Sequence, residues 1–214
     1  MDLYTSFTHL SCCEREGHDY RIRWRMGGSG IAIVAPHGGG IERGTSEVAD
    51  SIAGREHGFY AFEGLKSAGN HVLHLTSNRF DEPQALRLVR RSRAVITIHG
   101  AKGREPAVYL GGLDFGLRER ISEALISAGF LAIDDPSPTR QGRSPSNICN
   151  RCVAGRGVQL ELSYGLRTML FAGLDPAGLR RPTSLYVRFA GTLRAVLAGH
   201  APIETRSVIA EEWT

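Results

Sequence analysis

Short apolar runs alternate with amphipathic helical patterns along this chain, and that alternation restricts its fold more than any other feature. Residues 31–35, 71–75, 94–98, 107–110, 130–133 and 158–162 are mostly apolar stretches bounded by turn residues. Runs this short and this rich in β-branched residues predict central strands covered on both faces. Between them, residues 46–56, 82–91, 115–128 and 185–197 carry apolar side chains at helical spacing. Strands alternating with helices predict an α/β fold, an open, mostly parallel or mixed sheet with helices on both faces. The 214 residues suit one domain spanning 1–214.

Residues 1–30 read as an extension of that domain, with a helix near residues 7–16 and an edge strand over residues 20–26. In the strand Tyr20, Ile22, Trp24 and Met26 share one parity, while Arg21, Arg23 and Arg25 share the other and are expected to face water. Residues 134–156, rich in Pro, Ser, Arg and Gly, have neither period and predict a long loop, of the kind that is usually functional or mobile. A composition of 42% hydrophobic and 22% charged residues excludes a disordered chain. The formal charge is +4, and all the basic side chains but Lys66 and Lys102 are Arg. Because the Arg residues are scattered, they read chiefly as a genomic bias.

The first residues lack a basic segment followed by an apolar run, and nothing approaches the roughly 20 apolar residues of a membrane span. The expectation is a cytoplasmic protein with no membrane partner, one that could be released on lysis. Cys12 is adjacent to Cys13, and Cys149 and Cys152 have no second pair to complete a tetrahedron, so free thiols are expected.

The chemistry centres on residues 35–47, which run from the end of a buried strand through His37, three glycines and Glu42 to the N-cap residues Thr45 and Ser46. His37 and Glu42 stand five apart, about 140° apart on a helix and on opposite faces of a strand, so they converge only through an irregular turn. Neither GxGxxG nor GxxxxGK[ST] is present. His and Glu around glycines suit a cation, and zinc sites in hydrolases use three such ligands. His99, again between a buried strand and a Gly, offers the third, since open α/β sheets bind ligands at the carboxyl ends of their strands. His71 and His74 read as strand residues without a role. Glu161 sits in an apolar strand, on the parity of Gln159 and Ser163, where a carboxylate is costly unless paired or facing a cleft. It is the candidate base.

With residues 37–47, Phe62-Glu63-Gly64-Leu65-Lys66, Ile98-His99-Gly100, Asn147-Ile148-Cys149-Asn150-Arg151 and Gln159-Leu160-Glu161-Leu162-Ser163, the chain resembles the poly-γ-glutamate hydrolase family known from bacteriophage. The resemblance runs from about residue 10 to residue 200. It implies a zinc carboxypeptidase-like fold, zinc held by His37, Glu42 and His99, and Glu161 as general base cutting γ-glutamyl amides. Cys152 stands where that family is expected to have Gly. Asn150 and Arg151 are similar to a carboxylate-binding Asn-Arg pair of carboxypeptidases. With Arg43 and Arg167 they are the candidate substrate-binding residues, because guanidinium grips carboxylate through two parallel hydrogen bonds.

The expected activity is therefore zinc-dependent hydrolysis of poly-γ-glutamate or another glutamate-rich substrate. The same chemistry on a small N-acyl amino acid or a cell-wall γ-glutamyl link is the alternative. A nucleic-acid-binding role for Arg21, Arg23 and Arg25 has no motif behind it and leaves His37, Glu42 and His99 unexplained. No nucleic-acid partner is expected.

Overall fold

The computed structural model describes residues 2–200; Met1 and residues 201–214 of the expected 1–214 domain lie outside the described residues. Seven strands form one mixed sheet: β1 (Tyr20–Arg25), β2 (Ile31–Gly39), β3 (Gly58–Gly64), β4 (Ala94–Ala101), β5 (Ala107–Gly112), β6 (Leu131–Asp134) and β7 (Val158–Ser163). Their order is β1-β3-β2-β4-β7-β5-β6. The β3-β2-β4-β7 core is parallel, β1 runs antiparallel along β3, and β5 runs antiparallel to β7 and parallel to β6.

Strand residues alternate between two cores, as a sheet buried on both sides requires. Ile31, Ile33, Ala35, Phe59, Ala61, Ile96, Ile98, Leu160 and Leu162 enter one, with α2 (Thr45–Ala53), α4 (Phe115–Ser127), α5 (Tyr164–Leu170) and α6 (Ser184–Ala198). Ala32, Val34, Tyr60, Phe62 and Val95 enter the other, with α1 (Phe7–Cys13) and α3 (Pro83–Arg91). Full burial of one such Ile or Phe is worth about 1.5–3 kcal/mol. The expected open sheet with helices on both faces is the observed architecture, and among the described residues no helix is long and apolar enough to cross a membrane.

Two local expectations are corrected, and two elements were not anticipated. Residues 71–75 are not a strand: Asn70–Leu73 is a 3-10 turn, started by Gly69 at φ +75° and tied by Asn70, whose side chain bonds both the N–H and the carbonyl of Lys66. Strand β3 was not anticipated, although its apolar Phe59 to Phe62 are wholly buried. Helix α5 follows β7 directly because the Ser163 hydroxyl accepts from the Leu166 N–H, capping a helix where a strand had just ended.

The three arginines of β1 do not simply face water. Arg21 and Arg23 pair with buried Glu63, Arg23 and Arg25 pair with Asp50, and both of the latter guanidinium groups lie over the Phe59 ring. Alternation placed them on one face correctly; the neighbours on that face were not legible. All four cysteines are free thiols, as expected, with Cys149 and Cys152 buried.

Candidate metal centre and its cleft

Simple alternation along β2 would send His37 into the same core as Ile31, Ile33 and Ala35. Instead the pairing of β2 with β3 shifts between Ala35 and Gly38, where three steps on β2 match two on β3. Pro36 sits in this irregularity and has no N–H to offer the ladder. His37 thereby turns to the other face, where its ring meets the edge of Phe80. His99 and Glu161 reach that face by ordinary alternation, facing each other across β4 and β7. Gly39, at φ +59°, turns the chain back, and the Glu42 N–H bonds to the His37 carbonyl (2.9 Å). Gly100 leaves room for Glu42: a Cβ there would lie 3.0 Å from Glu42 Cβ and 2.8 Å from Arg167 Cζ.

His37, Glu42 and His99 converge, with one potential ligand atom from each lying within 4.8 Å of the others. The two Nδ1 atoms are 3.2 Å apart, and the Glu42 oxygens lie 3.4 Å from His37 Nδ1 and 3.8 Å from His99 Nδ1. Ligand atoms around a tetrahedral zinc with bonds of about 2.0–2.1 Å stand about 3.3–3.4 Å apart, so the spacing fits that ion. His37 Nε2–H donates to the Leu75 carbonyl (2.8 Å), which assigns the lone pair to Nδ1, and Ser77 Oγ lies 3.4 Å from His99 Nε2. Such a cluster is satisfied either by an imidazole Nδ1–H shared with Glu42 or by a cation held between the three groups.

The electrostatics agree. Burial opposes the charge on Glu42, but His37, His99 and the Gly100 N–H outweigh it and hold its pKa down at about 2. Burial also opposes a charge on His37, yet Glu42 raises its pKa. Burial pushes His99 down to about 3. Glu161 is pushed up to about 8, first by burial and then by the charge of Glu42. Gln159 Nε2 donates to Glu161 Oε1 (3.1 Å), leaving Oε2 as the freer oxygen.

The three convergent residues and Glu161 line one cavity of about 360 Å³. It adjoins a wider cleft of about 810 Å³, edged by Arg79, Lys102, Arg104 and Arg167. Arg167 is buried, with its Nε, Nη1 and Nη2 donating to the carbonyls of Leu162, Arg43 and Ala101. Three of its five N–H groups are thus taken.

The other expected substrate residues are not brought to this cavity. Asn150 is buried, its oxygen accepting from the N–H groups of Leu113 and Gly157 and its nitrogen donating to the carbonyls of Gly142 and Ser144. Arg151 donates to the Phe80 carbonyl (2.8 Å). Arg43 is exposed beside Leu174 and lines a different cavity, with Arg21, Lys66 and Arg180. Each lies elsewhere because its polar atoms meet backbone or solvent. Conversely, sequence reasoning passed over His74, whose ring stacks on that of His37 at 4.0 Å, because it was read as part of a strand. The polar turn Thr76-Ser77-Asn78 just beyond it was the available signal.

A mixed α/β sheet carries, at its strand ends, a His-Glu-His cluster that could hold a metal ion, with a buried glutamate beside it. The chain belongs to the poly-γ-glutamate hydrolase family, whose sequence profile it matches over residues 4–192. It is 42% identical over 174 residues to YndL of Bacillus subtilis (strain 168), covering 79% of this chain and 67% of that protein. It is 37% identical over 179 residues to the SPbeta prophage-derived protein YoqZ of the same organism, covering 83% and 64%. The structure of bacteriophage poly-γ-glutamate hydrolase superposes with a TM-score of 0.90 at 31% identity, covering 94% of this chain and 98% of that one. A zinc-free structure of YndL superposes with a TM-score of 0.89 at 36% identity, covering 94% and 100%.

Proposed function

We propose that this protein is a zinc-dependent hydrolase of the γ-glutamyl amide bonds of poly-γ-glutamate. The observation that carries the reading is the convergence of His37, Glu42 and His99 on one point in a cavity that also contains Glu161. The family assignment and the existence of a zinc-free form of YndL support it.

His37 and His99 would hold the ion through Nδ1, and Glu42 through its carboxylate. Zinc supplies Lewis acidity there, polarising the scissile carbonyl and acidifying water. Glu161 takes the proton of the attacking water on Oε2, while Gln159 keeps Oε1 occupied. As the C–N bond breaks, Glu161 returns that proton to the leaving nitrogen, so acid and base roles balance on one carboxyl. Glu161 would be ionised for the first step once positive charge at the cluster offsets that of Glu42. Arg167, which lines the adjoining cleft beside Gly100, would place positive charge near the reacting carbonyl or a neighbouring substrate carboxylate. Arg79, Lys102 and Arg104 give the cleft the sign that a polycarboxylate needs.

The test pairs metal analysis with chain length. The purified protein should contain about one zinc and shorten long poly-γ-glutamate on size-exclusion chromatography, losing that activity on chelation and regaining it with added zinc. Shortening by a verified zinc-free preparation would overturn the metal role. A zinc-loaded protein that leaves the polymer intact but cleaves a small γ-glutamyl amide would move the activity to the alternative substrate.

A further inference from the structure

Residues 74–79 form the wall behind the metal cluster, in neither helix nor strand. Three contacts from this segment set the two imidazole rings: the Leu75 carbonyl on His37 Nε2, Ser77 Oγ near His99 Nε2, and the His74 ring stacked on His37. A segment without a regular backbone ladder must itself be held. One carboxylate does so. Asp2, its side chain only 6% exposed, accepts from His74 Nδ1–H (2.8 Å), the Thr76 N–H (2.7 Å) and Arg79 Nη2–H (2.9 Å). Nearby, the Phe7 N–H donates to Asp81 (2.6 Å), a second tie between the same two stretches of chain. Asp2 precedes the residues that match the family, 4–192.

We propose that Asp2 is a positioning residue for the metal cluster, holding residues 74–79 so that both histidines keep Nδ1 turned toward Glu42. The proposal rests on reading that cluster as a zinc site. Asp2 is not one of the convergent residues; at the edge of the cleft its carboxylate is taken up by His74, Thr76 and Arg79, and it acts through the partners of the ligands. Partners of this kind set ring orientation, and their loss typically weakens metal binding about 10- to 100-fold. Asparagine cannot take over the role. It offers one acceptor oxygen, and its NH2 would face a donor on the other side.

The experiment measures zinc affinity by chelator competition for the full chain and for Asp2→Asn, Asp2→Ala, Asp2→Glu and Arg79→Met, with melting curves of the zinc-free proteins. Asp2→Asn and Asp2→Ala should bind zinc about tenfold more weakly. Asp2→Glu should recover part of the loss, and Arg79→Met, which spares the Thr76 and His74 bonds, should stay within about twofold. Long-range 1H–15N spectra of the imidazoles supply a readout that needs no zinc. At a pH where both rings are neutral, the wild type should show the proton of His74 on Nδ1 and that of His37 on Nε2, and Asp2→Asn should lose this assignment at both rings. Wild-type zinc affinity together with wild-type imidazole spectra in a folded Asp2→Asn variant would overturn the proposal. If the parent protein binds zinc but cuts no γ-glutamyl amide, the hydrolase reading fails while the affinity series still decides the role of Asp2. If it binds no zinc, the zinc reading fails and the spectra decide whether Asp2 sets the rings.

Discussion

Two turns flank the same cavity, one rich in Gly and the other carrying Asn, Arg and Gly, and they use their polar side chains in opposite ways. Between His37 and Thr45, the chain bulges, reverses and leaves His37 Nδ1 and the Glu42 carboxylate facing His99. Between residues 144 and 157, the two asparagines turn inward. Asn150 has both acceptor sites and both donors taken by backbone groups, and Asn147 bonds the Cys149 N–H and Gln159 Oε1. A side chain with its hydrogen-bonding capacity taken up by backbone builds a wall. One that faces other imidazole and carboxylate groups across a cavity is a candidate ligand. Both turns carry motif-like strings, so the string alone does not separate the two uses.

The sharpest way to break this contrast is on the ligand side. His99→Ala should abolish both zinc uptake and cleavage, because two ligands with a water-filled gap bind zinc far more weakly than three. Glu161→Gln should keep the zinc and lose about 10²–10⁴-fold in kcat, the range for a positioned general base. Elemental analysis beside kinetics on poly-γ-glutamate checks both. Zinc-replete His99→Ala or a fast Glu161→Gln would show that the cluster has been assigned the wrong chemistry.

On the wall side the loss should fall on stability. Asn150→Ala strands two N–H groups and two carbonyls in a buried turn, at a cost of about 3 kcal/mol. Urea unfolding should show that loss with zinc stoichiometry unchanged. A variant of normal stability with a raised KM would instead place Asn150 on the substrate.

The difference between the turns also explains what was legible from sequence. Strand and helix periods revealed the α/β sheet, because Ile31 to Ala35 and Val158 to Leu162 must be covered whatever their neighbours are. His37 and His99 stood out as histidines at the ends of buried strands before Gly, Glu42 as a carboxylate across the glycine turn, and Glu161 as a carboxylate inside an apolar strand, where burial demands a reason. The bulge at Pro36 that aims His37 was not, since register is a property of two strands and alternation of one. Asp2 left no signal at all. An acid near an N-terminus has no period, and its partners lie more than 70 residues away.

Acid should separate the two kinds of carboxylate as well. Burial works against the charge of Asp2, yet the bonds from Thr76 and His74 outweigh it and hold its pKa at about 2, whereas Glu161 is pushed up to about 8. A depressed folded-state pKa contributes stability that is present above the unfolded value and lost as pH falls through the folded one. The gap in melting temperature between wild type and Asp2→Asn should therefore be full at pH 5 and shrink as pH falls from about 4 to 2. A gap that stays constant across that window would mean that Asp2 is not held as the anion.

The smallest effect expected is at Arg151, and it tests the contrast where the two uses lie closest together. Its neighbour Asn150 is wholly occupied, but Arg151 is only partly buried and donates one bond, from Nη1 to the Phe80 carbonyl. A charged donor on a carbonyl at a partly exposed site contributes about 1 kcal/mol. Arg151→Met keeps much of the aliphatic stem, so the bond is the main loss. The expected result is a destabilisation of about 1 kcal/mol, with KM for poly-γ-glutamate within about twofold of wild type. A guanidinium gripping a substrate carboxylate would instead raise KM by about tenfold or more, with stability nearly untouched. That outcome would make the second turn part wall and part binding surface, because the cleft would then extend past Phe80 to Arg151.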